Sequence, residues 1–457
     1  MATDITTELA ETISGGVITP NTAGYEDARR VWNGLIDRRP LAIARCAGAA
    51  DVAQAIRLAR SAGLPLSVRG GGHNVAGSAV CDGGVVIDLS PLREVTVDAG
   101  AMRATVGGGA LWSDVDQATQ AHGQATTGGI ISHTGVGGFT LGGGIGWLMR
   151  RYGLTCDNLV GAEVVTAAGD VVRADAHENA DLLWALRGGG GNFGVVTRFE
   201  FELHPLSTVL VSLVMYAPRD ARQVLTAYRQ FVDDCPDELT TLVGFITAPP
   251  APFVLAEVQG HPVVSVLACH CGDLAAAQAE VAPMNTFAEP VAQMTAPVPY
   301  AVLQTMFDDG APHGLLAYWR TEYLGELSDA AIGVLTEHAA RNPSPLGQVH
   351  IHHLEGAVAR VAEGDTAFCR RYAPFVVNLP AGWMDPAENE QNIRWVREFS
   401  DALRPLGTGE AYTNFMGGDD LDRVRAAYGP NLERLIKVKR HWDPDNVFRA
   451  NLNIRPG

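Results

Sequence analysis

The chain of 457 residues is expected to fold as an α+β protein, and two patterns carry that expectation. Through the first two hundred residues, short apolar runs alternate with helical periodicities. Pairs of strands stand between the helices, which a continuous βαβ winding would not give. Beyond residue 207, longer strand runs alternate with amphipathic helices, as in a large antiparallel sheet backed by helices. The changes of character divide the chain into residues 1–206, 207–409 and a distinct tail, 410–457.

Taken in order, residues 25–40 carry a short helical pattern, and Leu41–Cys46 reads as a strand. Asp51 is placed to N-cap a helix ending at Ala62, with Val52, Ala55, Ile56 and Ala59 inward. Pro65–Val68 is a buried strand that breaks into Gly70-Gly71-Gly72, and His73 follows at once. Glycines lack Cβ and tolerate positive φ, so successive N–H groups can converge on an anion while a ligand lies against the main chain. Strands follow at Gly84–Leu89, Glu94–Asp98 and Met102–Val106, then a helix over Ala110–Ala121.

The segment Thr126–Gly153 holds ten glycines in 28 positions. A flexible linker would lack the interleaved Ile130, Val136, Phe139, Leu141, Ile145 and Trp147. These predict a folded wall where backbone closely approaches a flat or extended ligand. Asn158–Thr166 is a strand, Ala168-Gly169-Asp170 a turn, and Val171–Arg173 its partner. Gly189, Gly191 and Gly194 spell G-x-G-x-x-G, but a helix precedes and a strand follows, the reverse of a dinucleotide-binding fingerprint. They are expected to line a second edge of the same site.

Strands are predicted at Val209–Tyr216, Thr240–Ile246, Val263–Cys269, Val349–Glu355 and Phe375–Leu379. Helices are predicted at Asp220–Val232, Leu274–Val281, Ser328–Ala340 and Ala387–Leu403. The tail offers a strand at Tyr412–Phe415, helices at Leu421–Tyr428 and Asn431–Trp442, and a turn at Asp443–Asn446.

Composition excludes several functions. A net charge of −17 leaves no basic excess for nucleic acid. No apolar run reaches the ~18 residues of a membrane span. The first twenty residues hold no lysine, arginine or signal-like apolar core, so export by that route is not expected. Seven scattered cysteines suit reduced thiols in a cytoplasmic protein. Cys269-His270-Cys271 continues a strand, so alternation splits the histidine from the cysteines and no metal is expected.

Four separated motifs stand in one order: Arg69–Asn74, the glycine segment, GGGGNFGVV from Gly188, and the closing KRHWDPDNVF…NLNI. In these the chain closely resembles the FAD-linked oxidases related to berberine bridge enzyme and 6-hydroxy-D-nicotine oxidase, which share the vanillyl-alcohol-oxidase (PCMH-type) fold. The resemblance implies a two-part FAD domain with a substrate domain inserted, its sheet roofing the flavin ring. It implies that Arg69, Gly70, Gly71, Gly72, His73 and Asn74 hold the pyrophosphate region. It further implies that His73 is bonded to the 8α-methyl of FAD. Flavin contacts are implied for Ser78, Ile131, Ser132, Thr134, Gly135, Gly138, Gly143, Gly146, Asn158, Val160, Asn192, Val196, Tyr412, Asn414 and Asn451. Relatives that attach the flavin twice carry a cysteine where Ile131 stands, and no cysteine lies between Cys81 and Cys156, so a single linkage is expected.

The implied chemistry is hydride transfer from a substrate C–H to flavin N5, with reoxidation by molecular oxygen to hydrogen peroxide. The expected substrate is a small organic alcohol, amine or secondary-metabolite intermediate. An alcohol would need a base. Tyr412 matches the family's Tyr-x-Asn motif near the ring, against the plain alternative of a buried, satisfied tyrosine. His350 and His352 share one face of a strand, His353 and Glu355 the other, and either face looks into the site or lies on a wet surface. Asn378 stands where some relatives carry a catalytic carboxylate, and an amide is no base. His133 either borders the ring or is structural. A dehydrogenase with another electron acceptor and a catalytically silent flavin-binding protein are the rival functions. Oligomeric state is left open.

Overall fold

The computed structural model describes residues 2–420 and 423–457. Gly16–Ile18, Ala42–Arg45, Val85–Asp88 and Leu66–Arg69 form a four-stranded sheet in that order, parallel except where Gly16–Ile18 joins its edge. The helix Ala49–Ser61 packs Val52, Ala55, Ile56 and Ala59 onto it. Its N-cap is Gly48, not Asp51. Asp51 lies in the first turn instead, where its buried carboxylate accepts from the N–H groups of Ser14, Gly15 and Ala47 at 2.8–3.0 Å. The carboxylate thus spends its acceptors on the incoming chain rather than on its own helix end.

Residues 25–40 depart from expectation. The helix stops at Ala28, and the chain continues through an irregular, turned segment toward the large sheet. The Asn33 side chain bonds the carbonyls of Val75 and Ala317, and Gly34 N–H donates to Leu315. Tertiary hydrogen bonds outweigh a weak local helical preference here.

A five-stranded antiparallel sheet follows, in the order Val95–Asp98, Arg103–Gly107, Val195–Glu202, Leu159–Val165, Val171–Asp175. The glycine segment folds beside it with two short helices, Val136–Leu141 and Met149–Tyr152.

Residues 208–383 build a seven-stranded antiparallel sheet. Its order is Pro290–Pro299, Thr208–Tyr216, Pro262–His270, Leu239–Thr247, Val349–His353, Phe375–Trp383, Leu316–Leu324. The two strands that sequence patterning missed, Pro290–Pro299 and Leu316–Leu324, are its two edges. Prolines at 290, 297 and 299 obscure the first, and an edge is where a sheet tolerates them. Alternation divides the two faces. Leu210, Val214, Val243, Val264, Ile351 and Val377 pack under the helices Ala221–Val232, Asp329–Ala339 and Asn389–Leu403. Leu213, Met215, Leu242 and Leu267 turn the other way, with Cys269 and Cys271. His270 faces away from both cysteines and bonds Glu280 at 2.7 Å.

Tyr412–Phe415 is a turn rather than a strand. Asn414 Nδ2 donates to Phe139 O, and Thr413 Oγ1 donates to Gly142 O, so side-chain bonds replace a ladder. Of the predicted helix 421–428, positions 421 and 422 lie outside the described residues, and Val424–Tyr428 is helical. The helix Leu432–Trp442 carries Lys439, wholly buried. Its ammonium donates to Asp443 Oδ2 (2.6 Å), Asn192 O (2.8 Å) and Phe448 O (2.8 Å). Asp443 in turn accepts from the N–H groups of Val447 and Phe448. The tail is thereby fastened to the glycine loop at Asn192. Among the described residues no helix is long and apolar enough to cross a membrane.

Removing one partner of a buried pair strands the other charge, at a cost of about 3–5 kcal/mol. Lys439→Met is expected to lose stability on that scale in urea unfolding, whereas Arg341→Met, in an exposed pair with Glu337, is expected to change it by less than about 1 kcal/mol.

Candidate active site

Between the glycine loops and the open face of the large sheet lies a cavity of about 880 Å³. Its floor comes from residues 70–74, 134–138 and 190–194. Its roof is Leu213, Met215, Leu242, Ile246, Leu267, Met294, His350, His352 and Asn378. The segments 249–253 and 306–311 rim it. Among the lining residues stand no lysine or arginine and one carboxylate, the exposed Asp309.

The floor depends on glycine at one crossing. A Cβ on Gly71 would lie 2.4 Å from Gly135 N, and one on Gly135 would lie 2.3 Å from Gly71 N. Gly72, at φ 69°, then turns the chain into His73. Among the described residues the N–H groups of Gly71, Gly72, His73 and Asn74 take no hydrogen-bond acceptor. They form a cationless cradle of the kind that suits a phosphate.

His73 is held on two sides. Its ring stacks on Trp32 (4.8 Å between centroids, 19° between planes), and its Nε2 lies 2.8 Å from His133 Nδ1. His313 approaches both rings, at 6.1 Å and 5.1 Å. Burial first, then the neighbouring imidazoles, lowers the His73 pKa well below the ordinary histidine value, so the ring is neutral at physiological pH.

The other end of the cavity is a polar corner. The sheet register sets His350 opposite Asn378 and His352 opposite Leu242. His350 and His352 face the cavity, whereas His353 points away to Arg150 and Glu355. Gln348 Oε1 lies 2.6 Å from His350 Nε2. His352 Nε2 and Asn378 Oδ1 are buried without a partner. Burial depresses the pKa of His350 to about 4 and that of His352 to about 3.

Of the residues singled out by sequence, the cavity wall brings together Gly70, Gly71, Gly72, His73, Asn74, Ser78, Ile131, Thr134, Gly135, Gly138, Asn192, Val196, His352, Asn378, Asn414 and Asn451. Seven others stand behind it. Arg69 pairs with Asp88 at 2.8 Å and bonds Ala28 O, holding the strand that feeds the loop. Ser132 donates through N–H and hydroxyl to Asp308. Gly143 and Gly146 make room for Phe368 and Gly128 O. Asn158 bonds His204, Tyr152 and Leu154, and Val160 is in the strand beyond it. The Tyr412 hydroxyl accepts from the N–H groups of Gly144 (3.0 Å) and Ile145 (3.2 Å) and from Asn414 Nδ2 (3.0 Å). It is 1% exposed, and burial raises its pKa above the ordinary phenol value. Tyr412 therefore props the glycine wall and does not reach the cavity as a base.

Sequence reasoning missed Trp32, Trp319, Phe415 and Gln348 as wall residues. Gln348 lies just before a strand whose alternate positions were noted, so the same alternation reaches it. Trp32 carried no signal, because its helical pattern pointed elsewhere.

Two family models match the chain: an FAD binding domain over residues 40–175 and a berberine and berberine-like segment over residues 411–455. (R)-6-hydroxynicotine oxidase of Paenarthrobacter nicotinovorans is 32% identical over 470 residues, covering 100% of this chain and 99% of the relative. The chain belongs to the berberine-bridge-type FAD-linked oxidoreductases. An FAD-linked oxidoreductase of Dictyostelium discoideum is 30% identical, covering 100% of this chain and 98% of its own length. The crystal structure of 6-hydroxy-D-nicotine oxidase from Arthrobacter nicotinovorans superposes with a TM-score of 0.87 at 30% identity, covering 97% and 98% of the two chains. Glucooligosaccharide oxidase of Acremonium strictum, with a 6-S-cysteinyl, 8α-N1-histidyl FAD, shares the fold (TM-score 0.87, 23% identity, 99% of each chain). FAD fits the residues present. The glycine cradle offers free N–H donors, the buried Asn451 Oδ1 and Ser67 Oγ on the wall lack partners, and the Gly71–Gly135 crossing leaves the floor flat.

Two outcomes follow from this geometry. Gly71→Ala is expected to fold but to bind FAD roughly 5- to 150-fold less tightly before any attachment, the equivalent of a ~1–3 kcal/mol overpacking cost, read by titrating FAD into protein expressed and refolded without flavin. His350 and His352 bind protons less well folded than unfolded. Stability should therefore fall as pH drops from about 6.5 toward 4, by as much as ~1.4 kcal/mol per pH unit for each histidine. Replacing both by glutamine should flatten that limb of the pH–stability curve.

Proposed function

We propose that this oxidoreductase is an oxidase whose FAD is attached once, through His73, and which takes a hydride from a small organic substrate and returns the electrons to oxygen as hydrogen peroxide. Residues 1–206 and 410–457 would hold the cofactor and residues 207–409 the substrate. The observation that carries the proposal is the neutral, stacked imidazole of His73 at the mouth of a cationless glycine cradle, facing the open sheet across one cavity. The absence of cysteine at Ile131 supports a single attachment. FAD, when bound, supplies the two-electron acceptor.

His133 has a defined part in this scheme. His73 Nε2 and His133 Nδ1, 2.8 Å apart, can share one N–H. With His133 Nδ1 accepting, the proton stays on His73 Nε2 and the lone pair is left on His73 Nδ1. That is the N1 position named for the fold relative's flavin. At the sheet end, Asn378 cannot take a proton and Tyr412 is out of reach. Of the three catalytic candidates, His352 presents a nitrogen able to accept one from a substrate hydroxyl. The apolar roof excludes water from the reacting carbon. Seven free thiols support a cytoplasmic location.

Acid precipitation of purified protein is expected to leave the yellow colour in the pellet, with flavin mass on the tryptic peptide Gly70–Arg93. His73→Ala should release all of it, and persistence of bound colour in that variant would sink the attachment. His133→Ala should keep FAD bound but slow attachment about fivefold, the equivalent of one ~1 kcal/mol hydrogen bond. Peroxide formed in step with substrate turnover separates the oxidase from a dehydrogenase that turns over with dye alone.

A further inference from the structure

We propose that the substrate of this site is an uncharged, largely apolar polycyclic compound carrying a hydroxyl on a carbon next to a ring, rather than a saccharide or a cationic amine. The proposal rests on the flavin lying on the glycine floor, and it adds what the roof selects.

Charge comes first. The roof carries no charged side chain, and the rim carboxylate, Asp309, is exposed. A buried ammonium would therefore have no carboxylate to pair with, and desolvation would go uncompensated.

Shape and polarity come next. Leu213, Met215, Leu242, Leu267 and Met294 present one apolar surface across four neighbouring strands, with Phe307 packed against the same cluster. Three inter-strand spacings make that surface about 14 Å wide, enough for two or three fused rings. Methionines at two of these positions adapt to irregular ring outlines. A saccharide laid there would bury several hydroxyls with nothing to bond.

Ser265 also reaches this surface, but its hydroxyl is spent on Gly244 O, and one unpartnered polar locus remains. His352 Nε2 and Asn378 Oδ1 are buried, unpartnered and lie on adjacent strands. Phe415 stands 5.5 Å from the His352 ring, and Trp319 stands 6.0 Å from Phe415. This corner satisfies one hydroxyl, flanked by rings. In the reaction the carbinol C–H bond breaks and its electron pair goes to flavin N5. The O–H bond breaks and its proton goes to His352, so the carbinol becomes a carbonyl. The reduced flavin is reoxidised by oxygen, giving hydrogen peroxide. Burial makes His352 a weak base, which suits a carbon whose C–H is already activated by an adjoining ring.

Anaerobic titration of the yellow holoenzyme, followed by the shift in flavin absorbance, tests this with four probes: 9-fluorenol, fluorene, cellobiose and tryptamine. 9-Fluorenol is expected to bind at least roughly tenfold more tightly than cellobiose or tryptamine. The double variant His352→Leu/Asn378→Leu should weaken 9-fluorenol roughly tenfold and leave fluorene unchanged, which also shows that the roof is intact. Tighter binding of cellobiose or tryptamine overturns the proposal. So does failure of 9-fluorenol to perturb the flavin, or equal weakening of both hydrocarbon and carbinol. Colourless protein would count against the flavin assignment instead, and wild-type titrations alone decide the substrate class if the double variant does not fold.

Discussion

Two backbones touch at Gly71 and Gly135, and the rest of the site is arranged around that contact. With any side chain at either position, the loop after the first sheet and the glycine wall would stand apart by the depth of a methyl group or more. Their closeness lets the main chain itself form the floor, where the N–H groups of residues 71–74 have no acceptor, and His133 stands within hydrogen-bonding distance of His73. Other contacts keep the crossing in place. Arg69 anchors the incoming strand to Asp88, the Tyr412 hydroxyl gathers the N–H groups of Gly144 and Ile145, and Lys439 clamps the tail to Asn192. The three lie far apart in sequence, and each fixes backbone rather than ligand. A floor made of main chain has few side chains to define its shape, so rigidity must come from behind it.

The roof works by the opposite device. It is built mainly of side chains, and the pleat of one sheet separates two environments residue by residue. Val243 goes to the helix-packed core and Leu242 to the cavity; Ile351 goes to the core and His350 and His352 to the cavity. A shift of one residue in the pairing of Leu239–Thr247 with Val349–His353 would bury Val243 in the cavity and press imidazoles into the core. The helix-side core, with Tyr228, Trp383, Trp395 and Phe399, therefore protects the register on which the polar corner depends.

Periodicity made most of this legible. Period-two patterning placed His350 and His352 together and set His353 apart, and it separated Cys269 and Cys271 from His270. The glycine clusters pointed to the floor, because so many apolar residues locked between glycines have no place in a linker. What patterning did not reach depends on contacts between distant segments. Trp32 sits in a stretch whose local periodicity reads as helix, yet bonds to Gly72, Ala311 and Leu315 hold that stretch out of a helix. The edge strand Pro290–Pro299 carries prolines that argue against a strand everywhere except at a sheet edge. Tyr412 was misplaced for a subtler reason. A Tyr-x-Asn motif fixes which residues neighbour the ring, but the direction of the hydroxyl is set by the N–H groups at 144 and 145, over 260 positions away.

Neutrality joins the two ends of the cavity. The floor offers main-chain N–H groups and no arginine or lysine, and burial holds His73 at one end and His352 at the other uncharged. In so poorly screened a space, a fixed anion on the roof would oppose negative charge building on a bound flavin as it is reduced. Main-chain dipoles and neutral rings bring no such opposing charge. The same choice closes it to substrates that bring a charge of their own. The polarity of the roof and the electrostatics of the floor are therefore one constraint, met at both ends by excluding full charges.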